Sequence, residues 1–212
     1  MRTRLNRIDD FKAFQTSSKE ILKKVQKQSP DYMPLEDYYG FTVCPKGRSG
    51  GVNERLIEVF YGNRPYDQEI VINEQLKPSP TLLTESGAEL SLFRDDFGYV
   101  SIQLIPAKSK YGRQKEDWII LEAHLDPKRL LRPRFQKFLL QSLNSYMAVT
   151  CLEGKPTVCD RIRVWWIRTT KYISIDEKIQ PIKIWKALGD VFKFVFTVGL
   201  SGFLLLLIEK YV

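Results

Sequence analysis

Ala88-Glu-Leu-Ser-Leu-Phe93, the turn Asp95-Asp-Phe-Gly98 and Tyr99-Val-Ser-Ile-Gln-Leu-Ile105 form the stretch whose reading decides the fold. Ala88, Leu90 and Leu92 alternate with Glu89, Ser91 and Phe93. A period of two places the first set on one face of an extended chain. The acidic, glycine-containing turn then sends Tyr99–Ile105 back alongside, so the stretch predicts a β-hairpin. A loop from Lys108 to Lys115 leads to a third strand at Trp118–His124, which extends the hairpin into an antiparallel meander.

Upstream, residues 31–86 are rich in turns. Short strands are expected at Phe41–Cys44, Leu56–Tyr61 and Glu69–Asn73, with a loop at Pro78-Ser-Pro80. Residues 5–28 read as an amphipathic helix. Leu5, Ile8, Phe11, Phe14, Ile21, Leu22 and Val25 recur mostly at steps of three and four, and the helix stops before Ser29-Pro30. Its apolar face suits packing on the domain, docking of a protein partner or contact with a membrane surface.

Downstream, Pro127 suits a first helical position, and the main helix is expected to start at Arg132-Pro133 and run to about Met147 with Phe135, Phe138, Leu139, Leu143 and Tyr146 on its apolar face. After the turn Glu153-Gly-Lys-Pro156, a strand is expected from about Val158 to Thr169, and residues 171–182 read as a polar linker. The fold class is α+β: an antiparallel sheet with one or two covering helices, followed by a C-terminal transmembrane helix. The expected organisation is residues 1–30 as an N-terminal helix, 31–180 as a cytoplasmic α+β domain and 181–212 as the membrane helix with a short tail.

The membrane reading rests on Ile184–Ile208, in which Phe194–Ile208 carries no charge. Those residues alone span only about 22 Å at ~1.5 Å each. A bilayer core needs about 20 residues, so the span must begin near Leu188 and take in Asp190 and Lys193. Lys178, Lys183, Lys186 and Lys193 lie before the span and only Lys210 beyond it, which places the preceding domain in the cytoplasm. Lys186, Asp190, Lys193, Thr197 and Ser201 recur at steps of four and three and form one stripe, continued by Leu204, Leu205 and Ile208. Polar residues in a span face a partner or water, and Thr197 with Ser201 forms a small-residue pair suited to helix contact. Homo-oligomerisation through this helix is expected, either as a contact or as a pore closed by its apolar ring.

The 212-residue chain carries a net charge of +8. Three cysteines without a CxxC pair give neither a zinc site nor a disulfide framework. The single histidine, His124, excludes multi-histidine metal sites within one chain and has no nucleophile motif beside it. The glycine-rich loop Pro45–Gly51 lacks the Walker A spacing and reads as a hairpin loop. No cofactor is expected. Basic residues concentrate instead at Lys128, Arg129, Arg132, Arg134 and Lys137, a run without acids. On the expected strand, alternation places Arg161, Arg163 and Trp165 on one face. Guanidinium groups beside an indole suit phosphates and a stacked base, and equally suit anionic lipid headgroups.

These readings converge on a membrane-tethered, non-enzymatic sensor or effector. Its basic domain would bind a nucleotide or nucleic acid, and its membrane helices would associate in response. The layout resembles ligand-triggered membrane effectors of bacterial antiviral systems; the likeness is one of layout, and no motif identifies a family. Two alternatives stand beside it: a tail-anchored adaptor docking a protein through residues 5–28, and a membrane-localised hydrolase of phosphodiesters or lipids.

Overall fold

A computed structural model describes residues 3–29, 32–49, 51–72, 77–112 and 114–180. The Ala88–Ile105 stretch is a hairpin of β5 (Glu89–Arg94) and β6 (Val100–Ile105), in antiparallel register with Leu90 opposite Leu104 and Leu92 opposite Ile102. These two pairs are fully buried, as the alternation requires. Around them a seven-stranded antiparallel sheet is built in the order β1-β2-β5-β6-β7-β8-β9. β1 (Phe41–Cys44), β2 (Leu56–Tyr61) and β7 (Trp118–Leu125) fall where the sequence predicts them.

Helix α1 (Arg4–Lys27) opens on Thr3, whose hydroxyl accepts from Asn6 N at 3.3 Å. Its Phe11, Phe14 and Leu22 lie in the same core as the sheet. Helix α3 (Pro133–Thr150), led in by a 3-10 turn at Pro127–Leu131, buries Leu139, Leu143, Tyr146 and Met147 in that core. α2 (Met33–Tyr39) and α4 (Val158–Thr170) complete the four α-helices among the described residues. The chain is thus α+β, a large antiparallel sheet with a few helices.

Three expectations are corrected. Val158–Thr170 is a helix, not a strand. Thr157 Oγ1 accepts from Asp160 N while Asp160 Oδ2 accepts from Thr157 N, a capping box that nucleates the turn. Asp160, Val164 and Ile167 are then buried at steps of four and three. The β-branched and aromatic content that suggested a strand yields to that period. Arg161 and Trp165 therefore share a helix flank, while Arg163 points about 160° away from Arg161 at ~100° per residue.

Residues 171–182 contain a hairpin, β8 (Tyr172–Ile175) and β9 (Lys178–Gln180), rather than a linker throughout. Its two turn residues, Asp176 and Glu177, have φ of 49° and 63°, the left-handed pair that a two-residue hairpin demands. Neither is glycine, so the usual turn signal is missing from the sequence. Pro78-Ser-Pro80 is no loop but the start of β4 (Pro78–Ser86), which pairs β3 (Asn63–Ile72) in a separate ribbon. Beside β3, β4 bonds to Lys108 through Ser86, at the end away from its prolines, so Pro78 and Pro80 withhold no N–H that a further strand needs.

Residues 181–212, with Lys186, Asp190, Lys193, Thr197, Ser201, Leu204, Leu205 and Ile208, lie outside the described residues. Among the described residues no helix is long and apolar enough to cross a membrane.

Candidate anion-binding cleft

The end of α1, α2, α3 and α4 enclose a cleft of about 670 Å³. On α3, Lys137, Gln141 and Ala148 share one stripe, because steps of four and seven return to the same side of a helix. The stripe runs roughly 16 Å along the axis at ~1.5 Å per residue. Opposite it stand Tyr32 and Tyr38 from the α2 region, and Lys155 and Arg163 from the loop and helix that follow α3. The loop turns tightly. A Cβ on Gly154 would lie 2.0 Å from Ala148 O, so only glycine lets the chain double back and carry Lys155 to the rim.

The cleft floor is a fixed polar network. Tyr32 OH and Ser145 Oγ each donate to Asp160 Oδ1 at 2.7 Å. Thr157 Oγ1 donates to Asp160 Oδ2 at 2.7 Å, and Arg163 Nη1 donates to Ser145 Oγ at 2.7 Å. Burial opposes ionisation of Asp160, but hydrogen bonds from Ser145, Tyr32 and Thr157 outweigh it and hold the carboxyl below its ordinary range. Burial also raises the Tyr32 phenol, against the Ser145 hydrogen bond. The acid is thus committed to the fold, and the cations face an otherwise weakly opposed cleft. Among the described residues neither Lys137 nor Lys155 is paired with a carboxylate. The other acid at the rim, Glu153, lies 3.9 Å from Arg64.

Of the residues singled out in the sequence, the cleft brings together Lys137 and Arg163. Arg161 and Trp165 sit on the outer side of α4, both exposed. Lys128 and Arg129 belong to the 3-10 turn, with Arg129 stacked 5.0 Å over Phe135. Arg132 supplies the N-cap position of α3, and Arg134 is exposed in its first turn. The five-residue basic run is therefore dispersed by its own helical turn. Sequence reading missed Tyr32, Tyr38 and Lys155. Thr157-Val-Cys-Asp160 carried a capping-box signal that could have located the helix start and, with it, the cleft wall.

Other candidate chemistry is not assembled. Glu122 accepts from Lys171 Nζ at 3.3 Å, while His124 packs edge-on against Tyr99. Arg48 is taken up by Glu58 and Glu89, and its backbone N–H donates to Glu58 at 2.6 Å, so the glycine-rich loop is tied down by carboxylates. Burial, then the nearby Glu85, pushes the Cys151 thiol up to about 11, which leaves it protonated and unreactive. Among the described residues no cluster of three His, Cys, Asp or Glu side chains could hold a metal ion. No protein-family model, curated protein or solved structure matches this chain.

Proposed function

We propose that this protein is a membrane-tethered, non-enzymatic sensor that takes a nucleotide-class anion in the cleft between α2, α3 and α4. One observation carries the reading: Lys137, Lys155 and Arg163, from three separate segments, line one concave site together with Tyr32 and Tyr38. Its volume falls within the roughly 300–1,000 Å³ typical of small-ligand sites. Cations from several elements suit a phosphate, and a tyrosine face suits a base. Arg163 spends one N–H on Ser145 and has four more by its chemistry. In this reading residues 184–208 span the bilayer from a cytoplasmic domain. Occupation of the cleft alters their association, as a helix contact or as a gated pore.

The adaptor reading is less favoured, because Phe11, Phe14 and Leu22 of α1 are spent on the core. A hydrolase reading draws support from no grouping among the described residues.

The test is titration of the detergent-solubilised full chain with mono-, di- and cyclic dinucleotides and short oligonucleotides. Binding is expected to weaken with added salt. It should fall by about tenfold or more in Lys137→Glu with Lys155→Glu, taking ~1.4 kcal/mol as the measure of tenfold. Arg134→Glu, outside the cleft, should leave it unchanged. No binding by any of these ligands, or binding indifferent to the paired substitution, would overturn the reading.

A further inference from the structure

α4 is apolar on two opposite sides. Val164 and Ile167 face the core. Val158, Ile162, Trp165 and Trp166, at steps of four, three and one, are 72%, 59%, 61% and 55% exposed. At ~100° per residue they form a stripe about 100° wide, centred roughly opposite the buried side. The two indoles lie 6.5 Å apart, centroid to centroid. The hydroxyls of Thr169 and Thr170 turn back onto the carbonyls of Trp165 and Trp166, at 2.7 and 2.8 Å, so the end of the stripe offers them to no outside partner. A contiguous exposed apolar stripe with two tryptophans marks a contact surface.

Charge selects the partner. Arg161 borders the stripe, Arg163 is turned to the cleft and bonded to Ser145, and the helix's one acid, Asp160, is buried on the core side. Paired tryptophans beside an arginine, with no exposed acid on the helix, suit the headgroup region of an anionic bilayer. Connectivity agrees. Ten residues after α4 the described chain ends at Gln180, and the uncharged run Phe194–Ile208 follows. We infer that the outer face of α4 docks onto the anionic surface of the membrane that residues 184–208 are read to cross. It would hold the domain, and its cleft, in a fixed pose against the bilayer. The inference rests on that membrane reading and adds to it a second, independent point of attachment.

The experiment uses the full chain with Trp118→Phe and Trp185→Phe, so that emission comes from Trp165 and Trp166. The protein is reconstituted into vesicles of phosphatidylcholine and phosphatidylglycerol, with bromine high on the acyl chains of the phosphatidylcholine. Emission should fall by about half relative to unbrominated vesicles, since an interfacial helix sits ~5–10 Å deep. The quenching should be lost with Ile162→Glu, or when phosphatidylglycerol is left out. Protein that floats with the vesicles but shows solvent-like, unquenched emission overturns the docking while sparing the membrane span. Blue-shifted but unquenched emission means that protein covers the stripe, a second copy included, and also overturns it. Protein that fails to float removes the membrane reading and this inference together.

Discussion

Asn144 Nδ2 donates to Gln26 Oε1 at 2.9 Å, joining side chains 118 positions apart in the chain. Gln26 Nε2 donates to Tyr61 OH at 3.0 Å, and Tyr61 OH donates on to Asn144 Oδ1 at 3.0 Å. The three close a ring, all but sealed from solvent, that ties α1 and β2 to α3. Each group uses one donor and one acceptor, so each bond polarises the next. Asn144→Ala would orphan the Gln26 carbonyl and the Tyr61 hydroxyl proton. The expected loss is about 3 kcal/mol, from ~1–3 kcal/mol per buried unsatisfied group plus the missing contacts. Urea denaturation of the two proteins measures it.

The same tyrosine sets an alkaline limit. Burial raises the Tyr61 phenol above its ordinary value of 10.0, and burial raises Tyr146 well above it too, with Glu116 adding to the effect. A raised folded pKa gives stability that is complete below the unfolded value and is lost as pH climbs from 10 through the folded value. Stability should therefore hold level up to about pH 10 and then fall by up to ~1.4 kcal/mol per pH unit for each such tyrosine. Tyr61→Phe, though weaker at neutral pH, should show a shallower alkaline slope in urea midpoints.

Asp160 sets the acid limit. Its folded pKa is depressed despite burial, so its contribution is present above the ordinary value of 3.8 and vanishes as pH falls through the folded value. Asp160→Asn should flatten that acid limb. It should also cost about 1 kcal/mol at neutral pH, since it weakens the N-terminal cap of α4. Thermal unfolding as a function of pH resolves the two effects.

Glu177 adopts φ 63° in the β8–β9 turn, where a side chain is strained. Its backbone N–H donates to Asp117 Oδ2 at 3.1 Å, a bond that glycine retains. Glu177→Gly should therefore raise stability by about 0.5–1 kcal/mol. A lower urea midpoint would show that the carboxylate matters more than the turn.

The hairpin at residues 89–105, α1 and α3 were legible from the chain alone because their periods are unambiguous. Leu90 and Leu92 alternate over enough residues to admit no helical reading, and Phe135, Leu139, Leu143 and Tyr146 recur too regularly for a strand. α4 misled because Val164, Ile167 and two tryptophans fit both periods over so short a run. The capping box at Thr157 and the burial of Asp160 against Ser145 and Tyr32 decided for the helix. The β8–β9 hairpin was hidden because its turn has no glycine and its strands are only four and three residues long.

By itself, then, the sequence determined the α+β class, most of the strands and the abundance of positive charge, since these follow from local period and composition. It did not determine which cations meet. Lys137 and Arg163 are separated by a helix, a tight turn and a cap, and Tyr32 reaches them from the far side of the chain. Only tertiary packing brings those segments together, because the distances between side chains on different elements are set by the shared core beneath them and by no property of any one segment.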